Sequence, residues 1–247
     1  MRPMKIGLAC KEFINNDLAF NLSQMESALA AAQGRVELLC LGESFLQGFD
    51  ALNWTYENDR KIAIARDDAV MDQIAGLTLR YGVDLLFGYI EIDREEERLY
   101  SACAVMEGGK LTHNYRRISR GWKEFRRTDG HYGEGDHTGG FRYRGWPIKI
   151  ALCGDLWDFP ERFQTGGLLI WPVYVNFSLE EWKAYEAEYA AQARLAAGRA
   201  LMVNSISHNP RSFGGAFYFL DGRIESRLEY DREGILVVEI IEQAEWR

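Results

Sequence analysis

Residues 147–161 read Pro147-Ile148-Lys149-Ile150-Ala151-Leu152-Cys153-Gly154-Asp155-Leu156-Trp157-Asp158-Phe159-Pro160-Glu161. The run 147–153 has the length and apolar content of a buried strand, and it ends on a thiol, a glycine and a carboxylate. A second apolar run, 36–41 (VELLCL), ends similarly, in Leu41-Gly42-Glu43-Ser44-Phe45. Ligands of parallel α/β sheets collect beyond the carboxyl ends of the strands, so these two ends place Glu43 and Cys153 on one rim. Each residue taken alone has an ordinary reading. A lone Glu43 is a solvated loop acid, and a lone free cysteine is a small buried hydrophobe.

Outward from these ends, strand-length runs alternate with helix-period stretches. Strands are predicted at 4–10, 83–92, 99–106, 111–116, 201–206 and 235–240, with a short run at 168–171. Helices are predicted over 17–33, started by Asn16 or Asp17 and closed by Gly34, over 67–81 before Gly82, and over 179–198. Glu107-Gly-Gly-Lys110 and Asp221-Gly222 mark hairpin turns, the second between 213–220 and 223–230. This alternation predicts a layered α/β fold. No linker or low-complexity run divides the chain, so one domain over 1–247 is expected. The polar stretch 117–146 carries little periodicity, and a loop of that length in a compact domain is usually functional or disordered.

Composition narrows the function. The formal charge is −8, from 29 Lys+Arg against 37 Asp+Glu, which disfavours nucleic-acid binding. No apolar run reaches membrane-spanning length, and the first residues lack a signal-peptide pattern. The four cysteines, at 10, 40, 103 and 153, form no close pair, so neither a disulfide framework nor a zinc site is expected. A reducing, cytoplasmic setting follows. His113, His131, His137 and His208 show no ligand spacing, and no phosphate-binding glycine motif is present, so neither a metal nor another cofactor is expected.

The segment Leu152–Glu161, with Cys-x-Asp followed by Phe-Pro-Glu, resembles the nucleophile motif of the nitrilase (carbon–nitrogen hydrolase) superfamily. Leu41–Phe45 with Gly48-Phe49 resembles the segment carrying that family's general base, with Gly-Glu in place of the usual Pro-Glu. Asn114-Tyr115-Arg116-Arg117-Ile118 resembles its Tyr-Arg-Lys segment. The resemblance spans nearly the whole chain and implies a four-layer α-β-β-α sandwich, usually a homodimer or higher oligomer. It also implies hydrolysis of a small amide by water through a Cys153 thioester, with Glu43 as base.

One departure stands out. The family's lysine falls on Arg117, a planar fork that does not deprotonate, where lysine is a compact donor. Either Arg117 supplies the positive charge, or Lys123 reaches in from the next loop turn. Glu124 matches a second glutamate of the family that orients the other groups. Burial among apolar groups and a neighbouring carboxylate such as Glu124 would help Glu43 act as a base. The Gly154 N–H and a cation from Arg117 or Lys123 would bind the oxyanion. Trp157 and Phe45, together with Trp171, are candidates for the pocket wall, with core packing as the alternative. Asp155 and Glu161 are expected to hold local structure. The loss of the lysine leaves open a non-catalytic relative that binds a small amide or carboxylate, and acyl transfer would use the same residues.

Overall fold

The sequence folds into two six-stranded sheets in the computed structural model, which describes residues 2–241. Residues 1 and 242–247 of the expected domain lie outside the described residues. The first sheet runs β12 (Gly234–Ile240), β1 (Met4–Cys10), β2 (Leu38–Cys40), β3 (Asp84–Asp93), β4 (Arg98–Glu107), β5 (Lys110–Arg116). The second runs β11 (Arg223–Leu228), β10 (Arg211–Leu220), β9 (Arg199–His208), β8 (Leu168–Val173), β7 (Trp146–Ile150), β6 (Gly140–Tyr143). Each sheet has a parallel centre, β1–β2–β3 in one and β7–β8–β9 in the other, flanked by antiparallel strands.

The two-residue period of the strands sorts the layers. In the first sheet Ile6, Leu8, Leu38, Cys40, Leu86, Cys103 and Val105 face the second sheet, in one core with Ile148, Ile150 and Leu168. Their neighbours Ala9, Leu39, Leu85, Phe87, Ala102 and Ala104 face outward, under α1 (Leu18–Ala32) and α3 (Ala69–Tyr81). On the far side, α5 (Leu179–Ala196) packs against β9, β10 and β11, with the Trp182 ring 5.9 Å from Phe217. The result is the four-layer α-β-β-α sandwich. Local chemistry sets the helix ends. The Asp17 side chain accepts from the Phe20 N–H at the start of α1. Gly82, at φ +63°, caps α3 in the left-handed conformation glycine tolerates. Ser178 and Glu181 form a capping box at the start of α5.

Both sequence-defined strand ends are cut shorter than the apolar runs suggest. β2 covers only Leu38–Cys40, and β7 stops at Ile150. The backbone nevertheless follows β8 a little further, with Ala151 N–H bonded to Ile170 O and Cys153 N–H to Pro172 O. It then turns at Cys153, which has φ +39°. The stretch 117–146 is less irregular than its composition suggests. It contains a 3-10 turn at Arg120–Trp122, the edge strand β6, and the buried aromatics Trp122 and Tyr132.

The loop after β2 lies along β3 at Gly88: Leu41 N–H bonds Leu86 O, Gly88 N–H bonds Gly42 O, and Leu46 N–H bonds Gly88 O. A Cβ on Gly88 would sit 2.4 Å from Ser44 N, 2.6 Å from Gly42 O and 2.7 Å from Glu43 Cα. Those are backbone atoms and cannot rotate away. Gly88→Ala is therefore expected to destabilise the protein by about 1–3 kcal/mol in urea unfolding and to displace Glu43. An unchanged unfolding midpoint would contradict this close approach.

Candidate active site

Glu43 follows β2 in the loop held against β3, and its side chain is 0% exposed. Its N–H reaches Val173 O, at the end of β8 in the opposite sheet, at 3.3 Å. Ser44, the next residue, sits at φ +50°, as Cys153 sits at +39°. Each such left-handed non-glycine residue costs about 1 kcal/mol, which the surrounding packing must supply.

Arg117 leaves the end of β5 and is 3% exposed. Its Nη1 donates to Glu43 Oε1 at 2.8 Å, and its Nε donates to Ser119 Oγ at 2.7 Å. Ser101, on β4, donates its hydroxyl to the same Glu43 Oε1 at 3.0 Å. Glu43 Oε1 is thus occupied by two donors, while Oε2 is buried with no hydrogen-bond partner among the described residues. Burial would pull the Arg117 guanidinium down, but the charges of Glu43 and Asp155, with the Glu43 hydrogen bond, outweigh it and hold its pKa above the usual arginine value.

Cys153 is the only one of the four cysteines that is not fully buried. Its Sγ contacts Tyr174 O at 3.7 Å, and its carbonyl accepts from Trp171 Nε1 at 2.9 Å. Although the residue keeps some accessible surface, the sulfur lies deep. Burial and the Glu43 charge push the thiol up to about 12, against the lowering effects of Arg117 and the Tyr174 carbonyl contact. Cys153 is consequently held as a neutral thiol.

Asp155 pins these pieces together. Its Oδ1 accepts from Ile118 N–H at 3.1 Å and Ser119 N–H at 2.8 Å. Its Oδ2 accepts from Tyr115 Oη at 2.6 Å and Leu152 N–H at 2.8 Å. One carboxylate therefore ties the turn that carries Cys153 to the segment that carries Arg117.

The match to the carbon–nitrogen hydrolase family model runs from residue 6 to residue 245. The chain belongs to that family. A search of curated protein sequences finds no match. Among solved structures it is similar to XC1258 from Xanthomonas campestris, a CN-hydrolase superfamily protein, with TM-score 0.78 and 18% identity over 98% of this chain and 91% of that one. It is also similar to an amidase from Nesterenkonia sp., with TM-score 0.76 and 18% identity over 96% and 90% of the two chains. A glutamine-dependent NAD+ synthetase from Acinetobacter baumannii matches with TM-score 0.74 and 16% identity, over 98% of this chain but 48% of the synthetase.

For a carbon–nitrogen hydrolase the placement of the two candidate cations matters. Arg117 meets Glu43, whereas Lys123 turns to the far side of its loop. The Lys123 Nζ donates to Tyr132 O at 2.5 Å and lies 2.7 Å from Glu134 Oε1, an ion-pair distance without hydrogen-bond alignment. Glu124 is exposed, and its carbonyl closes a turn with the N–H groups of Arg127 and Thr128. The structure therefore does not bring Lys123 or Glu124 to Glu43. The 3-10 turn at Arg120–Trp122 buries Trp122, close to the rings of Trp54 and Tyr132, and the residues after it point elsewhere. Phe45 is fully buried and meets Phe13 edge-on, so it belongs to the core rather than to a pocket wall. Trp157, four residues beyond Cys153, is 36% exposed and packs on Trp171 and Tyr189. Of the neighbouring arginines, Arg116 is committed to Glu91 and Asp93 and lies over the Tyr100 ring. Among the described residues no cluster of His, Cys, Asp and Glu is arranged to hold a metal ion, and no helix is long and apolar enough to cross a membrane.

Ser101 and Ser119 escaped the sequence reading. The first shows there only as a hydroxyl inside the apolar run LYSACAVM, the second only as a serine two residues beyond Arg117. Because the Glu43 charge raises the Cys153 thiol, Glu43→Gln is expected to move its titration down from about 12. Thiolate absorbance, taken as a difference against Cys153→Ser, measures it. An unmoved midpoint would show that the carboxylate does not act on the sulfur.

Proposed function

We propose that this protein hydrolyses the C–N bond of a small amide through a thioester on Cys153, with Glu43 as the general base and Arg117 as the charged donor. The observation that carries this reading is the division of labour on Glu43. One oxygen is fixed by Arg117 and Ser101, and the other is buried without a partner beside a thiol that needs deprotonating.

The chemistry follows from the residues. Glu43 takes the Cys153 proton as sulfur attacks the amide carbon, forming a C–S bond and an oxyanion. The C–N bond then breaks, the carbonyl re-forms, and the proton passes from Glu43 to the departing amine. Glu43 next takes a proton from water while the water oxygen attacks the thioester. The C–S bond breaks, the acid leaves, and the proton returns to sulfur. A thiol nucleophile divides one hard displacement into two easier ones. The Gly154 N–H, which has no hydrogen-bond partner among the described residues, and the Arg117 guanidinium are the donors available to the oxyanion. Losing one such donor typically costs roughly 10²–10³ in rate. Water can give way to another nucleophile at the thioester, so the products separate hydrolysis from acyl transfer.

A glutamate-to-glutamine mutant of the amidase from Nesterenkonia sp. AN1 carries the product of Michael addition of acrylamide at its active-site cysteine, and likewise the acetamide moiety of fluoroacetamide. Here, incubation with either reagent is expected to leave one adduct, on the peptide containing Cys153, by mass spectrometry. Cys153→Ala and Glu43→Gln should each lower kcat on a responsive amide by at least about 10³-fold with the fold retained, as expected when one member of a nucleophile–base pair is lost. An adduct on Cys10, Cys40 or Cys103 instead, or full turnover by Cys153→Ala, overturns the assignment. A wild-type protein inactive on a broad amide panel, yet thermally stabilised by one amide or carboxylate, would favour the ligand-binding reading.

A further inference from the structure

The residue after the nucleophile is Gly154, and its backbone gives no reason for glycine. At φ −63° and ψ −13° it lies in the right-handed helical region that every L-residue enters freely. Space gives the reason. A Cβ built on Gly154 would lie 2.4 Å from Arg117 Nη2, 3.2 Å from Ser119 Oγ and 3.5 Å from Arg117 Cζ. Arg117 cannot readily retreat, because its Nη1 is held by Glu43 and its Nε by Ser119, whose own N–H is held by Asp155. The plane of the guanidinium is thereby fixed at two points, which directs Nη2 against residue 154. A second glycine, Gly121, also borders Nη2, with a notional Cβ 3.2 Å away. That separation is tight but needs a shift of only a few tenths of an ångström.

A lysine at 117 would have a single ammonium and no third nitrogen to accommodate. The wide fork of arginine requires the missing side chain. We propose that Gly154 is a positioning residue for Arg117: by carrying no side chain, it makes the room in which the guanidinium lies between Glu43 and the nucleophile turn, so that arginine at 117 and glycine at 154 form one interdependent pair. Its catalytic consequence rests on the amidase reading above, since it is through Arg117 that the missing side chain of Gly154, as distinct from its N–H, would act on the reaction. The spatial pairing does not depend on that reading. A side chain at 154 would push the guanidinium off Glu43 or force the nucleophile turn outward, and either movement separates the cation from the thiol.

The experiment is a double-mutant cycle with two kinds of readout. Gly154→Ala, Arg117→Lys and the double variant are compared for thermal midpoint and iodoacetamide alkylation of Cys153, and for kcat and KM on a responsive amide. Gly121→Ala serves as the graded control. Gly154→Ala is expected to lower kcat by at least about 30-fold with a smaller change in KM, and to lower the thermal midpoint. Adding Arg117→Lys should recover at least about tenfold of that kcat and much of the midpoint, because contacting residues are non-additive. Gly121→Ala should cost less than Gly154→Ala on every readout. Two results overturn the proposal: a Gly154→Ala protein that melts, alkylates and turns over like wild type, or a defect the lysine does not relieve, which would mean that the glycine serves the turn and not the arginine. If no amide is hydrolysed by any variant while melting and alkylation show the coupling, the pairing stands and the amidase reading fails.

Discussion

The Glu43–Arg117 ion pair is the interaction around which the rest of this molecule is arranged. Both side chains are withdrawn from water, with 0% and 3% of their surface exposed, and only good geometry and added hydrogen bonds compensate such a withdrawal. Ser101 supplies a second donor to the carboxylate, and Ser119 accepts from the guanidinium. Asp155 then fixes the backbone that carries Ser119. Removing either ion-pair partner would leave a buried charge alone, at a cost of about 3–5 kcal/mol. A pair of this kind is poor value for stability, since apolar residues could fill the volume with less penalty. Its presence at the ends of β2 and β5 makes sense as a device that holds one carboxylate oxygen still and leaves the other vacant.

The fold supports that device from both sides. Glycine at 88 lets the Glu43 loop lie on β3, and glycine at 154 leaves space for the Arg117 guanidinium beside Cys153. The loops above are held by their own small core of Leu52, Ile90, Leu99, Trp122 and Tyr132. Within it the buried Asp59 accepts from Asn53 N–H, Trp54 N–H and the Tyr132 hydroxyl, joining the 50–60 loop to the 117–146 stretch.

Periodicity made most of the architecture legible. The strand-length apolar runs of β3 and β4 and the apolar face of α1 depend on neighbours along the chain, and those are what a sequence displays. Glu43 and Cys153 each stand where an apolar run stops, but it is the motif resemblance, not the periodicity, that singles them out from a solvated acid and a small buried hydrophobe. The choice between Arg117 and Lys123 was not legible. It depends on where a 3-10 turn at Arg120–Trp122 aims the following residues, and Trp122 goes inward while Lys123 goes to Glu134. Phe45 was equally hard to place, because an aromatic after a base loop reads alike whether it faces a ligand or Phe13. Ser101 and Ser119 acquire their roles only through contacts across strands and loops, with Glu43 fifty-eight residues from Ser101.

Glu43 and Cys153 belong to different sheets. Glu43 rides on the end of β2 in the first, and Cys153 on the extension of β7 in the second, while Asp155 and the Glu43–Val173 contact cross the seam. The apolar interior between the sheets therefore acts as a spacer whose thickness sets the gap between the Glu43 carboxylate and the Cys153 sulfur. Packing changes deep in that interior, far from either side chain, would translate into a changed carboxylate–sulfur distance. The sandwich works as a caliper, and its jaws are Glu43 and Cys153.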